Sequence, residues 1–351
     1  MNTMTASTVL NTPFSAPPAV AGGPPRRRLV AVAGVLGALA LLPLVATLAG
    51  QPFYVTVATR IMVFALAALG LNLVLGFGAM VSLGHALYLG VGAYAAGILS
   101  SHGIGSGWLQ LGAGLGVGLV LATAIGAVCL RASGLAFIML TLAFGQMFYF
   151  LAVGLKQYGG DEGLPLVRSD FGMLSLENDL VLYGVVFAVL VATLYGFHRL
   201  VHARLGMVLR GCKSNERRMR ALGFPTLRYQ LVAYVLSALV CVVAGFLLAN
   251  LTRFASPSYM TWGVSGELIV MVVLGGVGTL MGPVVGAATW LVLEQLLTSF
   301  HVALPWGLDA IVRDRWLGLF GLMVVAVVLL MRRGLYGSWV AGSHKASKGT
   351  P

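Results

Sequence analysis

The stretch RLVHARLGMVLRGCKSNERRMRALGFPTLR, residues 199–228, decides how this chain can fold. It carries eight of the chain's 22 Lys and Arg residues and a single acid, Glu216. A segment with so much charge does not enter the core of a bilayer, so it has to lie in the aqueous phase. It is also longer than a turn between two membrane spans needs to be. The sequence therefore predicts a cytoplasmic segment that meets a partner outside the bilayer.

The rest of the chain is strongly apolar. Of its 351 residues 59% are hydrophobic and 9% are charged, and the mean hydropathy is +0.94. Soluble domains carry about 25% charged residues, so this composition indicates a polytopic membrane protein. The net charge of +12 lies in the predicted loops of one side, which argues against nucleic acid as a partner. The 47 glycines, many inside apolar runs, favour close helix crossings and suit a transporter or channel.

Ten apolar runs have the length of a membrane span. Glycines and Pro283 interrupt the third, eighth and ninth runs, which fit re-entrant or broken helices as well as full crossings. The sequence therefore predicts an all-α polytopic membrane protein with about ten transmembrane or partly re-entrant helices. The runs are residues 29–49, 54–76, 80–100, 108–130, 134–155, 180–198, 229–251, 264–281, 283–300 and 316–331.

Positive charge predicts how the spans are oriented. If Arg26–Arg28 lie inside, segment 199–228 follows the sixth run and also lies inside, as do Arg332 and Arg333 after the tenth. Both termini are then cytoplasmic. The predicted organisation is a disordered cytoplasmic tail over 1–25, a transmembrane domain over 26–337 and a cytoplasmic tail over 338–351.

The sequence contains none of the motifs that we associate with catalysis. It has no G-x-x-x-x-G-K-[ST] phosphate loop, no HExxH and no GxSxG, and its three cysteines lack metal or disulfide spacing. We therefore predict no catalytic residue, no metal and no cofactor. If the protein works with ATP, another polypeptide has to bind it.

Ionisable residues inside the apolar runs are candidates for a translocation pathway, because charge in a membrane usually faces a bundle interior or an aqueous cavity. They are His85, Glu267 and Glu294, and Arg60 lies near the outer end of the second run. Each has a structural alternative: His85 as a hydrogen-bonded packing residue, Glu267 as a residue near the headgroups, and Glu294, beside Gln295, as a polar contact between helices.

The basic segment contains a predicted helix over residues 212–222. These residues lie between Gly211 and Gly223, and Pro225 follows, which is a typical pattern for the end of a helix. Such a helix can dock into a protein groove or rest on anionic lipid, and the residues alone leave both alternatives open.

This helix would pair Glu216 with Arg220 four residues later, in the favourable orientation for an ion pair. Its two predicted faces are a mixed apolar and acidic one of Cys212, Glu216, Met219 and Leu222 or Gly223, and a basic one of Lys213, Arg217 and Arg220.

Several motifs in the same order resemble the LivM-type permeases of branched-chain amino-acid ABC importers. The resemblance covers about residues 54–337 and favours a protein partner over lipid for the basic segment. The motifs are ALGLNLVLGFGAMVSLGHALYLGVGAYAAGIL (68–99), LRASGLAFIMLTLAFGQMFYFL (130–151), LGMVLRGCKSNERRMRALG (205–223), FASPSYMTWGVSGELIVMVVLGGVGTLMGPVVGA (254–287) and RRGLYG (332–337).

The resemblance implies a multi-pass permease of the bacterial inner membrane with the ABC importer permease fold and a cytoplasmic coupling helix. It further implies four kinds of neighbour: a second homologous permease, two cytoplasmic ATP-binding subunits, a periplasmic substrate-binding protein and membrane lipid. Carried over by position, the ATPase-coupling residues are Gly206, Arg210, Asn215, Glu216, Arg217, Ala221 and Gly223.

This sequence departs from the pattern of the family's loops at Gly211–Lys213 and at Met219. The expected substrates are branched-chain, hydrophobic amino acids, with urea, short amides or aromatic acids as alternatives. An ion-coupled secondary transporter that uses the intramembrane acids stays open as a less favoured alternative.

Overall fold

A computed structural model describes residues 34–43, 53–172 and 175–298, together with residues 318, 321, 325 and 334–336. The predictions for the tails 1–25 and 338–351 lie outside the described residues, as does most of the tenth apolar run.

The described residues are mostly helical. The helices are α1 (Gly34–Pro43), α2 (Phe53–Asn72, continued by a π turn over Leu73–Phe77), α3 (His85–Ser101), α4 (Gly107–Cys129), α5 (Leu135–Gly154), α6 (Asp179–His202), α7 (Arg204–Ala221), α8 (Thr226–Thr252), α9 (Trp262–Gly275) and α10 (Gly282–Thr298). Short 3₁₀ turns cover Lys156–Tyr158 and Pro257–Met260, and the strands are β1 (Leu164–Pro165) and β2 (Phe254–Ala255).

Helix length divides the described bundle into two groups. Five of the described helices are long and apolar enough to cross a membrane: α2 with its π turn, α4, α5, α6 and α8. Helices α3, α9 and α10 have 17, 14 and 17 residues, and they correspond to the three runs in which glycines predicted partial or broken crossings. The all-α polytopic fold is thus confirmed. The total of ten spans stays a prediction.

The centre of the bundle is formed by α2 and α8. Within their most apolar windows 89% and 61% of the residues are buried, against 22–33% for α4, α5 and α6. The outer helices present large apolar side chains such as Val120, Phe150 and Tyr195 at the surface, as helices in contact with lipid do. Helix α3 packs between α4 and α8, while α10 packs on α2 and α9.

Helices α3 and α8 cross at direct backbone contact. A Cβ atom on Gly92 would overlap the carbonyl oxygen of Val242, and one on Gly245 would overlap that of Leu89. Two glycines therefore let the helices interlock more closely than any side chain would allow.

The bundle has two distinct ends, which we call the α7 end and the opposite end. At the opposite end β1 pairs antiparallel with β2, with Leu164 opposite Ala255. The buried side chain of Arg168 follows β1 in the same loop. Its guanidinium contacts Asp179 at 2.6 Å and donates to the carbonyl oxygens of Leu176, Glu177 and Asn250. The loop between α5 and α6 is thereby fastened to the bundle.

Candidate functional site

Two of the predicted coupling residues build the corner between α6 and α7. Ala203 is extended and separates the helices. A Cβ on Gly206 would overlap the carbonyl oxygen of Val201, so only glycine lets α7 turn so closely back on α6. Arg210 donates from Nη2 to the Val201 carbonyl at 3.1 Å and from Nε to the Gly206 carbonyl at 3.2 Å. These two residues hold the corner through bonds within the chain.

Helix α7 consists of two pieces joined at Asn215. This residue has φ −162° and ψ 100°, an extended conformation inside an otherwise helical segment. Its side-chain oxygen accepts a hydrogen bond from the backbone N–H of Arg218 at 3.0 Å, which makes it the N-cap of the second piece. We call residues 204–214 the inner piece and residues 216–221 the outer piece.

The predicted continuous helix over 212–222 is therefore wrong in its start and its continuity. The helix begins at Arg204 and passes through Gly211 without a break. The break comes at Asn215 because a short polar side chain competes for a backbone N–H that the helix would otherwise use. The predicted end is confirmed. Gly223 has φ +84°, and the N–H of Phe224 bonds the carbonyl of Met219 at 3.2 Å.

The predicted ion pair between Glu216 and Arg220 is present. Their side chains meet at 2.6 Å, with Glu216 about one third exposed. Thr226, the first residue of α8, donates to the same carboxylate at 3.3 Å and accepts from Arg220 Nε at 3.2 Å. The ion pair therefore also fastens the outer piece to the start of α8.

The break changes both predicted faces. Cys212 is buried, and Met219 packs against Gly211, so neither belongs to an open docking face with Glu216. Burial, together with the nearby Glu216 carboxylate, raises the pKa of the Cys212 thiol. Lys213 also leaves the predicted basic face, because its amine donates to the carbonyl of Gly76 at 2.8 Å, in the π turn after α2.

What the outer piece does expose is basic and apolar. Arg217 and Ala221 are exposed, and so are Leu222 and Phe224 just beyond them. The predicted mixed face includes Leu222 and misses Phe224. The signal for Phe224 is a large apolar side chain directly after a basic helix, where a soluble loop would be polar.

His85 lies fully buried at the start of α3. Ser237 donates its hydroxyl hydrogen to the Gly70 carbonyl at 2.6 Å, so it can only accept from His85 Nε2, which lies 2.9 Å away. His85 Nδ1 lies 2.9 Å from the Ser82 hydroxyl. Both ring nitrogens thus have partners, and the imidazole joins α3 to α8 and, through Ser237, to α2.

Glu267 and Glu294 come together on neighbouring helices. Glu294 on α10 forms an ion pair with Arg60 of α2 at 3.7 Å, with both side chains partly exposed. Glu267 on α9 lies within electrostatic range of both residues. The structure therefore places two of the three predicted pathway residues on adjacent helices, close to Arg60. His85 lies apart from them, in its own hydrogen-bond network.

Metal-binding chemistry has little support in the described part of the chain. Within it, no group of three or more His, Cys, Asp or Glu side chains is arranged to hold a metal ion.

Comparison with known proteins identifies the family. Residues 53–328 match the family described as the permease component of branched-chain amino acid transport systems. No solved structure matches the chain.

The curated relatives are transport permeases. The high-affinity branched-chain amino acid transport system permease protein LivM of Salmonella typhimurium is 29% identical over 75% of this chain and 69% of its own length. The corresponding LivH protein of Escherichia coli is 25% identical over 68% of this chain and 82% of its own. The fructose import permease protein FruG of Bifidobacterium longum is 25% identical over 52% and 56%. The prediction that the chain is not an enzyme is confirmed by these relatives, and the match over 53–328 shows that it belongs to the family of branched-chain amino acid transport system permease components.

Proposed function

We propose that this chain is the transmembrane permease subunit of an ATP-driven ABC importer for branched-chain, hydrophobic amino acids in the bacterial inner membrane. It would form the translocation pathway together with a second homologous permease. Two cytoplasmic ATP-binding subunits and a periplasmic substrate-binding protein would complete the importer. The family match and the LivM and LivH relatives support this assignment.

The observation that carries the proposal is the outer piece of α7. It lies at one end of the bundle, joined to α6 through the inner piece and to α8 through Thr226. Arg217 is exposed on it, and Leu222 and Phe224 are exposed directly after it. Apolar side chains among positive charges suit an acidic-rimmed groove on a soluble protein, because the groove buries the apolar part while its rim pairs the charges. In this proposal ATP-driven closure of the ATPase dimer pushes on the outer piece.

Among the coupling residues carried over by position, Asn215, Glu216, Arg217, Ala221 and Gly223 belong to this outer region. We propose that Glu216 and Arg217 contact the ATPase, while Asn215 and Gly223 set where the docking piece begins and ends. Gly206 and Arg210 would act through the corner with α6 instead.

For the pathway we propose Glu267 and Glu294, since the two helices that carry them pack against each other and share Arg60 as a neighbour. Charged side chains on adjacent membrane helices usually face a polar interior or cavity. The contacts of His85 favour the packing alternative. Substitution of His85 with Leu tests this, because a change in uptake would give His85 a role in transport.

The test is transport in vesicles that contain the complete importer. Uptake of leucine, isoleucine and valine is expected to require ATP and to continue when ion gradients are collapsed. Gradient-driven uptake without ATP would instead establish the ion-coupled alternative.

A ligand screen of the cognate binding protein separates the substrate classes. The screen should include urea, short amides, aromatic acids and, because one relative is named a fructose permease, fructose. Tight binding of one of these and not of branched-chain amino acids would overturn the substrate proposal alone.

A further inference from the structure

Lys213 makes a contact that joins the loop region to the centre of the bundle. Its Nζ lies 2.8 Å from the carbonyl oxygen of Gly76, a residue 137 positions earlier in the chain. Gly76 belongs to the π turn Leu73–Phe77, which prolongs the central helix α2. Carbonyl groups at the end of a helix lack partners within it, and a lysine is favourable there because the helix end carries partial negative charge.

The π turn in turn rests on the loop between α9 and α10, residues 276–281. A Cβ on Gly76 would lie 2.6 Å from the backbone nitrogen of Gly278, so the two backbones are in direct contact. Single π turns inside α-helices frequently occur at functional sites. Gly278 has φ +77°, which a side chain would disfavour. The sequence at both positions thus permits a backbone contact that other residues would prevent.

Asn72 fixes this contact with two hydrogen bonds. It is buried at the end of α2, where its Nδ2 donates to the Thr279 carbonyl at 2.8 Å and its Oδ1 accepts from the Gly278 N–H at 3.0 Å. One side chain thereby satisfies both a donor and an acceptor of the α9–α10 loop. Breaking the arrangement would leave buried polar groups unpaired, so the loop is expected to follow the end of α2 when it moves.

We propose that Lys213 is a positioning residue that transmits displacement of α7 to the α9–α10 loop, through the Gly76 carbonyl and Asn72. This inference rests on the proposed function, because the displacement would come from the ATPase. It deepens that function by connecting the docking helix to α9 and α10, the helices that carry Glu267 and Glu294. The covalent connections of α7 lead only to α6 and α8, so this contact adds a third route into the bundle.

The experiment uses the complete importer in proteoliposomes with four forms of this chain. These are the parent, Lys213→Met, which keeps the length of the side chain but removes the ammonium, Lys213→Arg, which keeps a cationic donor, and Arg131→Met. The last variant removes one exposed positive charge from the turn between α4 and α5, outside the proposed docking piece, and serves as the matched control.

The readouts separate transmission from assembly. Lys213→Met is expected to co-purify with the ATPase subunits and to hydrolyse ATP like the parent. Its uptake per ATP hydrolysed is expected to fall about tenfold, the scale on which residues in a coupling network change the coupling between sites. Lys213→Arg should recover most of that ratio, and Arg131→Met should leave it unchanged.

Hydrogen exchange gives an independent measurement. In the parent, exchange at residues 276–281 is expected to differ between the nucleotide-free and ATP-bound complexes, and in Lys213→Met this difference should disappear. An unchanged uptake-to-ATP ratio in Lys213→Met, or an equal fall in Arg131→Met, overturns the inference and leaves the proposed function intact. If the parent itself binds no ATPase and shows no ATP-dependent uptake, the proposed function fails and the inference fails with it.

Discussion

The side chain of Met219 lies over Gly211, across the break in α7. A Cβ on Gly211 would lie 2.6 Å from Met219 Sδ and 2.9 Å from its terminal methyl carbon. The missing Cβ therefore provides the space in which Met219 packs, and this contact folds the outer piece of α7 back onto the inner piece. Both residues are among the departures from the LivM-type pattern, and the structure shows that these departures meet in one contact.

We predict that Gly211→Val loosens the outer piece. Valine is a better helix former than glycine, so any loss of stability has to come from the clash with Met219. The end of the Met219 side chain is flexible and can shift, so the expected cost is about 1 kcal/mol, the low end for overpacking. The measurement is maleimide labelling of Cys212 in a chain whose Cys129 and Cys241 are replaced by Ala.

In the parent, labelling of Cys212 should be slow at neutral pH, because the thiol is buried and its raised pKa keeps the reactive thiolate scarce. Gly211→Val should label faster and at lower pH, as exposure returns the pKa towards its ordinary value. The double variant Gly211→Val/Met219→Ala should label slowly again. Equal rates in the parent and in Gly211→Val would show that the contact does not hold the outer piece.

We predict that Glu216→Lys weakens ATPase association without affecting membrane insertion, because it places a cation where the docking surface has its acid. The substitution also breaks the pair with Arg220, so a swap is needed to separate the two effects. Glu216→Lys/Arg220→Glu restores an internal ion pair with the charges reversed. Co-purification with the ATPase should stay low in the swap if Glu216 contacts the partner. Recovery in the swap would mean that only the internal pair matters.

We predict that Arg168→Met releases the loop between α5 and α6 at the opposite end. Arg168 has a 6% exposed side chain that bonds three carbonyl groups as well as Asp179. Its loss leaves the part-buried carbonyls of Leu176 and Asn250 unpaired, at a cost of about 1–3 kcal/mol. The measurement is the rate of proteolysis within residues 156–179. Arg253→Met is the matched control, because its pair with Glu177, at 3.5 Å, is exposed on both sides. Similar rates in both variants would contradict the prediction.

We predict that Gly245→Ala destabilises the crossing of α3 and α8. The added methyl group would overlap the backbone of Leu89, which cannot rotate away as a side chain can, so a loss of at least about 1–3 kcal/mol is expected. The melting temperature of the purified chain in detergent measures it. Gly116→Ala on α4 is the control. No described atom lies within 4 Å of the position its Cβ would take, and its stability should be equal or higher. A parent-like Gly245→Ala would show that the crossing is looser than described.

Local patterns predicted much of the bundle. Hydropathy located the long helices to within a few residues. Residue spacing predicted the Glu216–Arg220 ion pair and the end of α7 before Gly223. These features could be predicted because they depend on residues close together in the chain. The break at Asn215 also has a local cause, but asparagine is common enough inside polar helices that its cap cannot be told from its sequence neighbours.

The features that the sequence did not reveal depend on distant partners. Lys213 bonds a carbonyl 137 residues away, and His85 bonds a serine 152 residues away. Neither contact leaves a periodic pattern, so the sequence predicts Lys213 on an open basic face and leaves His85 as a candidate for either a pathway or a packing role. The glycine crossing of α3 and α8 was likewise hidden, because its two glycines lie on different helices and form no spaced motif.

The extended residue Asn215 has a mechanical consequence. The angle between the two pieces of α7 depends on two torsions of one residue, whereas bending an unbroken helix by the same amount would stretch several backbone hydrogen bonds at once. A protein that binds only the last turn can therefore rotate the outer piece relative to the inner piece while both pieces stay helical. Two contacts of the outer piece restrict this rotation: the packing of Met219 on Gly211 and the hydrogen bond of Glu216 with Thr226. The strongly basic segment therefore contains a hinge at Asn215 whose range of motion is restricted by two contacts.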